Sequence, residues 1–225
     1  VNQVRYNFEK ILDAKLKDAA FFMEEDLKTP LAKKIPHLKE IIFLKDAGSL
    51  FDKCQRNFKV AQFISKYTRS NISKEDIERT AFLCKVDLLT LMVKEFPSLQ
   101  GVIGKFYAAQ QNYSSVISEA IFEHYLPRHS RDFLPQTVLG KIMALADKVD
   151  TITTCFLKGL QPTGEQDPFS LKRTASGCIR ILTEGKMDIN LEKVIEKSLQ
   201  LWDNLAENEG EKIRKSNKSI YYTSK

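Results

Sequence analysis

Histidine, cysteine and glycine are scarce in this chain of 225 residues, and each scarcity excludes a class of chemistry. The four cysteines, Cys54, Cys84, Cys155 and Cys178, are far apart and include no C-x-x-C pair. Each falls in an apolar helical run, the pattern of buried thiols in a reducing cytosol rather than of a disulfide framework or thiolate metal site. The three histidines are His37, His124 and His129, and none is followed by aspartate. Among nine glycines, Gly101-Val102-Ile103-Gly104 is an isolated G-x-x-G, too little to cradle phosphate. No serine or cysteine is set beside a histidine base. No apolar run approaches the ~20 residues of a membrane span, and no cationic-plus-apolar signal segment opens the chain. Internal repeats, low-complexity tracts and long linkers are missing too.

What remains is an ordinary globular composition, 43% hydrophobic and 28% charged, enough for one good core. The net charge of +6 and a pI of about 9.0 suit a polyanionic partner without proving one. Basic residues gather at Lys33-Lys34, at Lys172-Arg173 with Arg180, and in a tail from Lys212 to Lys225. The tail reads as a frayed, solvated end.

Apolar periodicity predicts helix after helix. Glu9 to Met23 form the first, burying Ile11, Leu12, Leu16, Ala19 and Phe22. Thr29-Pro30 opens a short helix over Leu31 and Ile35; Ile41, Ile42 and Phe43 are β-prone but find no partner strand. Ser49 caps a helix carrying Leu50, Cys54, Phe58, Ala61 and Ile64. Ser73 with Asp76 starts a long helix through Phe96, which Pro97 ends. Asn112 or Ser114 begins another, stopped by Pro127. Asp188 or Asn190 starts the last, with Leu191, Val194, Ile195, Leu199 and Trp202 as its stripe.

The most informative stretch runs from Leu139 to Leu182. Val138, Ile142, Leu145, Ala146, Val149, Ile152 and Phe156 mark the buried face of one long helix. Lys158 and Gly159 end it. Asp167-Pro168 signals the next start, offering a side-chain oxygen to the free amides. The Gly-Leu-Gln-Pro-Thr-Gly-Glu-Gln segment between them is either a solvated loop or a loop held over a ligand; its composition alone leaves both open.

Several ordered blocks carry a resemblance. AKLKDAAFFMEEDLKTPL (Ala14 to Leu31), DAGSLFDKCQRN (Asp46 to Asn57), LCKVDLLTLMVKEFPSLQGVIGKFYA (Leu83 to Ala108), EAIFEHYLPR (Glu119 to Arg128), ALADKVDTI and PTGEQDPFSLKR resemble, in order and spacing, the β subunit of the bacterial two-subunit glycyl-tRNA synthetase. Ala47 stands where leucine is usual.

The resemblance implies a cytoplasmic ligase of two α and two β subunits that joins glycine to its tRNA with ATP. ATP and Mg would bind the α subunit, and no cofactor would bind this piece. The expected partners are the α subunit, the rest of the β chain and glycine tRNA, with no membrane and no DNA. Val1 in place of Met suits an internal piece of a longer chain. The expected fold is all-α, a degenerate HD-like orthogonal bundle of about seven to nine helices. Residues 1-45 would be a lead-in, 46-185 the HD-like domain, and 186-225 a final helix and tail.

An active HD domain holds a metal through histidine and aspartate, and that metal activates water. Where the His-Asp doublet would fall, this chain reads Cys84-Lys85-Val86-Asp87. A protonated lysine has no lone pair to give. Asp147 survives as the distal aspartate, and His124 is within reach of the old site. Lys85, Asp87, His124 and Asp147 are thus the expected degenerate pocket, with no metal and no catalytic residue. His124 is read first as a satisfied, partly buried histidine; Asp87 and Asp147 would pair with Lys85 or Lys148.

The candidate tRNA-binding cations are Arg128, Lys148, Lys158, Lys172, Arg173 and Arg180, aided by helix amides near Pro168. They would position the tRNA acceptor end for the α subunit. The alternative is an inter-subunit or interdomain scaffold. A surviving phosphohydrolase is a third possibility.

Overall fold

The computed structural model describes residues 2–68, 70–164 and 166–202. The basic tail from Lys212 to Lys225 lies outside the described residues. Those residues are all-α, with one isolated bridge, Ile42 to Ser49, in the β-prone segment.

The helices are α1 (Asn2–Leu27), α2 (Leu31–Lys34), α3 (Leu50–Ser65), α4 (Lys74–Leu83), α5 (Leu91–Glu95), α6 (Val102–Gln110), α7 (Ser115–Glu123), α8 (Val138–Leu157) and α9 (Leu171–Thr183), followed by a helix over residues 191–202, α10. Capping chemistry sets several starts. Ser49 and Asp52 exchange bonds in a capping box, while Ser73, Ser114 and Thr137 each accept an amide three residues on. Gly159, at φ 71°, closes α8 where Lys158-Gly159 predicted a stop, and the Leu160 amide donates back to the Cys155 carbonyl at 2.8 Å.

α8 is the central strut, packed on α3, α4, α7 and α9. Leu139, Ile142, Met143, Leu145, Ala146 and Val149 of this helix are buried, along with Ile64, Ile77, Ile121 and Ile181 from its neighbours. All four cysteines are buried and free.

Three expectations fail. The helix predicted from Ser73 through Phe96 is three pieces: α4, a 3₁₀ turn over Val86–Leu89, and α5. Asp26 of α1 explains the second break, since its carboxylate accepts the Leu91 and Met92 amides at 2.9 and 3.1 Å and stands in for the lost helical turn. Periodicity cannot register that partner, which lies 65 residues away. Second, Ile11, Leu12 and Leu16 are exposed, not buried, because only the C-terminal part of α1, through Ala19, Phe22, Met23 and Leu27, packs on the core. Third, Val138 and Phe156 sit at the ends of α8, where neighbours no longer cover the apolar stripe. The α6 helix, which begins inside the G-x-x-G with Gly101 at its cap, carries no expectation from the sequence.

Candidate functional site

Four helices, two of them through their C-terminal ends, bring polar and charged groups into the core. α3 supplies Lys53, Arg56 and Asn57 on consecutive turns of one face, and α8 supplies Asp147, Lys148 and Asp150. Lys85 follows α4, and His124 ends α7. All but Asp147 are buried.

Lys85 is the junction. Its Nζ lies 3.0 Å from His124 Nε2 and 3.2 Å from the Asp147 carboxylate, and 4.5 Å above the Tyr125 ring. The imidazole tautomer follows from its partners. Nδ1 lies 2.6 Å from the Ile121 carbonyl, which can only accept, so Nδ1 carries the proton and Nε2 receives the ammonium. Burial first, then the Lys85 charge, holds His124 well below the usual imidazole range, so the ring is neutral.

Asp147 also accepts from Asn57 Nδ2 at 2.9 Å and lies 3.3 Å from Lys53 Nζ. Burial pushes its carboxyl up, but Lys53, Lys85 and the other cations override that and hold it well below the usual carboxylate range. Asp150 is fully buried and takes a forked pair from Arg56, Nε at 2.6 Å and Nη2 at 3.2 Å, plus Lys53 at 3.0 Å. Burial alone would lower Lys53; Asp147 and Asp150 raise it instead.

Asp87 does not join this cluster. It accepts the Gly101 amide at 2.6 Å and faces the Tyr125 hydroxyl at 3.4 Å, anchoring a glycine at φ 78°. Burial lifts its carboxyl to about 6 against the pull of that amide. Of the expected pocket, Lys85, His124 and Asp147 are brought together, while Asp87 meets the Tyr125 hydroxyl and the Gly101 amide instead.

This donor set does not fit a metal ion. The ammonium already uses both the imidazole lone pair and the carboxylate, and no group of three or more His, Cys, Asp or Glu converges among the described residues. Lys53, Arg56, Asn57 and Asp150 were not anticipated as parts of the cluster. The available signal was polar residues falling inside the apolar faces of α3 and α8.

The six candidate surface cations divide. Lys148 is buried, and its Nζ donates to the Leu126 carbonyl at 2.7 Å and lies within 3.5 Å of those of Tyr125 and His124. It closes the C-terminal end of α7 and offers nothing outward; burial drops it to about 8 despite Asp147. Arg180 is half-buried and bonded to its own chain, donating to the Ser130 and Asp132 carbonyls at 2.8 and 3.2 Å and pairing with Glu184 at 2.8 Å. Arg128 is exposed and pairs with Asp132 at 3.2 Å. Lys158 is exposed, 5.3 Å from the Trp202 ring, and Lys172 donates to the Thr163 carbonyl at 2.8 Å. Arg173 is exposed and makes no ion pair among the described residues.

The amides expected to serve a phosphate near Pro168 are already used. α9 begins at Leu171, and the Asp167 carboxylate accepts the Leu171 and Lys172 amides at 2.7 and 2.9 Å. The start expected at Pro168 is thus three residues late: Ser170 holds the cap position, and Asp167 reaches the first amides from farther back in its own chain.

Comparison with known proteins agrees with this architecture's blocks. A family model described as glycyl-tRNA synthetase beta subunit matches residues 1–222. The chain is 46% identical over 193 residues to the glycine–tRNA ligase beta subunit of Desulforamulus reducens, covering 85% of this chain and 28% of that one. The corresponding protein of Halothermothrix orenii is 41% identical over 202 residues, 89% of this chain and 29% of the relative. For that of Buchnera aphidicola subsp. Schizaphis graminum the identity is 43% over 194 residues, 86% and 28% respectively. The chain thus spans somewhat over a quarter of the length of these relatives. That match over residues 1–222, with relatives more than 40% identical, shows that the chain belongs to the glycyl-tRNA synthetase beta subunit family.

Proposed function

We propose that this chain is a non-catalytic part of a glycine–tRNA ligase β subunit, and that it holds the tRNA acceptor end for the active site of an α subunit in an assembly of two α and two β. ATP-dependent glycylation would belong to the α subunit and take place in the cytoplasm.

One observation carries the non-catalytic part. Lys85 places an ammonium between His124 and Asp147, 3.0 and 3.2 Å away, where a metalloenzyme pocket would place its ion. We read this as a degenerate HD pocket whose charges now close the core. Its groups face one another, and a neutral imidazole whose N–H and lone pair are both engaged offers neither to a substrate. The phosphohydrolase alternative finds no support here.

For tRNA, support comes from the net charge of +6 and from exposed cations on neighbouring elements: Arg128, Lys158, Lys172 and Arg173. Phosphate contacts of this kind fix register without reading sequence. The test is charge reversal, Lys172→Glu with Arg173→Glu, in the assembled enzyme. The apparent KM for tRNA should rise while adenylate formation stays unchanged; a fall in adenylate formation would contradict it.

The scaffold alternative has its own observation. Phe156, Leu157, Ile179, Ile195 and Leu199 line an apolar groove of about 480 Å³ between α8, α9 and α10, of a kind that protein contacts cover. Substitutions there that separate the subunits without altering tRNA affinity would favour it.

A further inference from the structure

The loop between α7 and α8 reads Arg128-His129-Ser130-Arg131-Asp132-Phe133. Phe133 is 84% exposed, more than any other large apolar side chain among the described residues. Arg128, His129 and Arg131 are exposed around it. Burying nothing, the phenyl ring contributes nothing to the core.

The backbone beneath it is held firmly. Asp132 is buried and accepts the Arg128 amide at 2.7 Å and the Phe133 amide at 3.0 Å. Arg180 reaches from α9 to the Ser130 and Asp132 carbonyls. Glu123 accepts the Gln136 and Thr137 amides at 2.7 and 3.1 Å, fixing the loop's far end. Asp132, Arg180 and Glu123 thus brace the loop from within; the Arg128 side chain, itself paired with Asp132, is still exposed, as are Arg131 and the flat ring of Phe133.

α9 extends the charge. Gly177 meets Pro127 closely, since a Cβ there would stand 3.4 Å from the Pro127 Cγ. Arg173 lies four residues earlier, roughly 6 Å along the helix axis. Arg128, His129, Arg131 and Phe133 are thus exposed on one loop, and Arg173 is exposed on the helix packed beside Pro127.

We propose that Phe133 is a stacking platform for an unpaired base of a single-stranded RNA end, with Arg128 and Arg131 gripping the adjoining phosphates. Resting on the tRNA function proposed above, this names where the unpaired 3′ nucleotides would lie. A rigidly presented aromatic among cations suits an unpaired strand, because every base has a face to stack and every linkage a charge to meet. A protein partner would want further exposed apolar surface beside the ring, and the exposed residues that precede it in the loop are instead two arginines, a histidine and a serine.

The test uses the 225-residue chain and fluorescence anisotropy with two probes: glycine tRNA, and the same tRNA trimmed of its unpaired 3′ nucleotides. Phe133→Ala should weaken intact tRNA roughly tenfold and leave the trimmed form unchanged, a size usual for one stacked base. Phe133→Trp should restore binding. The ring touches no core, so thermal melting should be the same for all three proteins. If Phe133→Ala binds intact tRNA as the parent does, with salt-dependent affinity intact, the platform is wrong and the tRNA function stands. If the parent shows no salt-dependent tRNA binding, both fall.

Discussion

Lys85 and His124 share one hydrogen bond, Nζ to Nε2 at 3.0 Å, between a cation and a neutral ring buried on different helices. Imidazole acting as acceptor to an ammonium fixes the tautomer, orients the ring, and joins the end of α4 to the end of α7. Lys85→Met should remove that bond and one neighbour of Asp147, leaving Lys53 and Asn57 in place. The loss should be roughly 1–3 kcal/mol, less than for an ion pair broken outright. The variant's His124 should also titrate at higher pH than the parent's, because a repelling charge has gone. Chemical denaturation measures the first and histidine NMR titration the second.

Asp150 should be the costlier loss. It is the carboxylate that both Lys53 and Arg56 engage, and it is fully buried. Asp150→Ala leaves two cations with less compensation in the core and should cost about 3–5 kcal/mol. Thermal or urea unfolding would show it.

Asp87 gives stability a pH dependence of definite sign. Its folded carboxyl titrates at about 6 against 3.8 in the unfolded chain. Between those values the folded chain keeps a proton that the unfolded chain has released, so stability from this group falls as pH rises across the window, by up to about 3 kcal/mol. Asp87→Asn keeps an oxygen for the Gly101 amide and removes the titration. Its stability relative to the parent should rise from pH 4 to pH 7, as denaturation at both would reveal. Asp147, held low, contributes the opposite slope in more acid solution and is common to both proteins.

Lys148 acts at the alkaline end. It titrates at about 8 when folded and at 10.5 in the unfolded reference. There the unfolded chain holds the extra proton, so this group's contribution becomes more favourable as pH rises from about 8 to 10.5. Gly177→Ala should disturb the same spot, since a Cβ would stand 3.0 Å from Lys148 Cε and 3.4 Å from Pro127 Cγ. A loss of roughly 1 kcal/mol is expected from such overpacking, measured by thermal unfolding.

Local chemistry was legible where partners are close in sequence. Ser49, Ser73 and Gly159 mark helix ends because a hydroxyl or a left-handed glycine acts within a few residues. The break at Thr90 and the exposure of Leu16 were not, because Asp26 and the absent cover of α1 are tertiary facts. The candidate site divides the same way. A lysine partner for Asp147 follows from the need of a buried carboxylate for a counter-charge, within a pocket that the resemblance implies; the Lys85–His124 bond carries no such sequence signal. Nor do the bonds of Lys148 and Arg180 to their own chain, because a cation beside an apolar stripe reads the same whether it snorkels to water or finds carbonyls.

The most direct test of an RNA-handling role is the salt dependence of tRNA binding by this chain. Log affinity should fall linearly and steeply with log salt concentration, and the slope should shrink by about one for each phosphate-contacting cation removed from Arg128, Lys172 and Arg173. A flat dependence, or a slope unchanged by those removals, would contradict it.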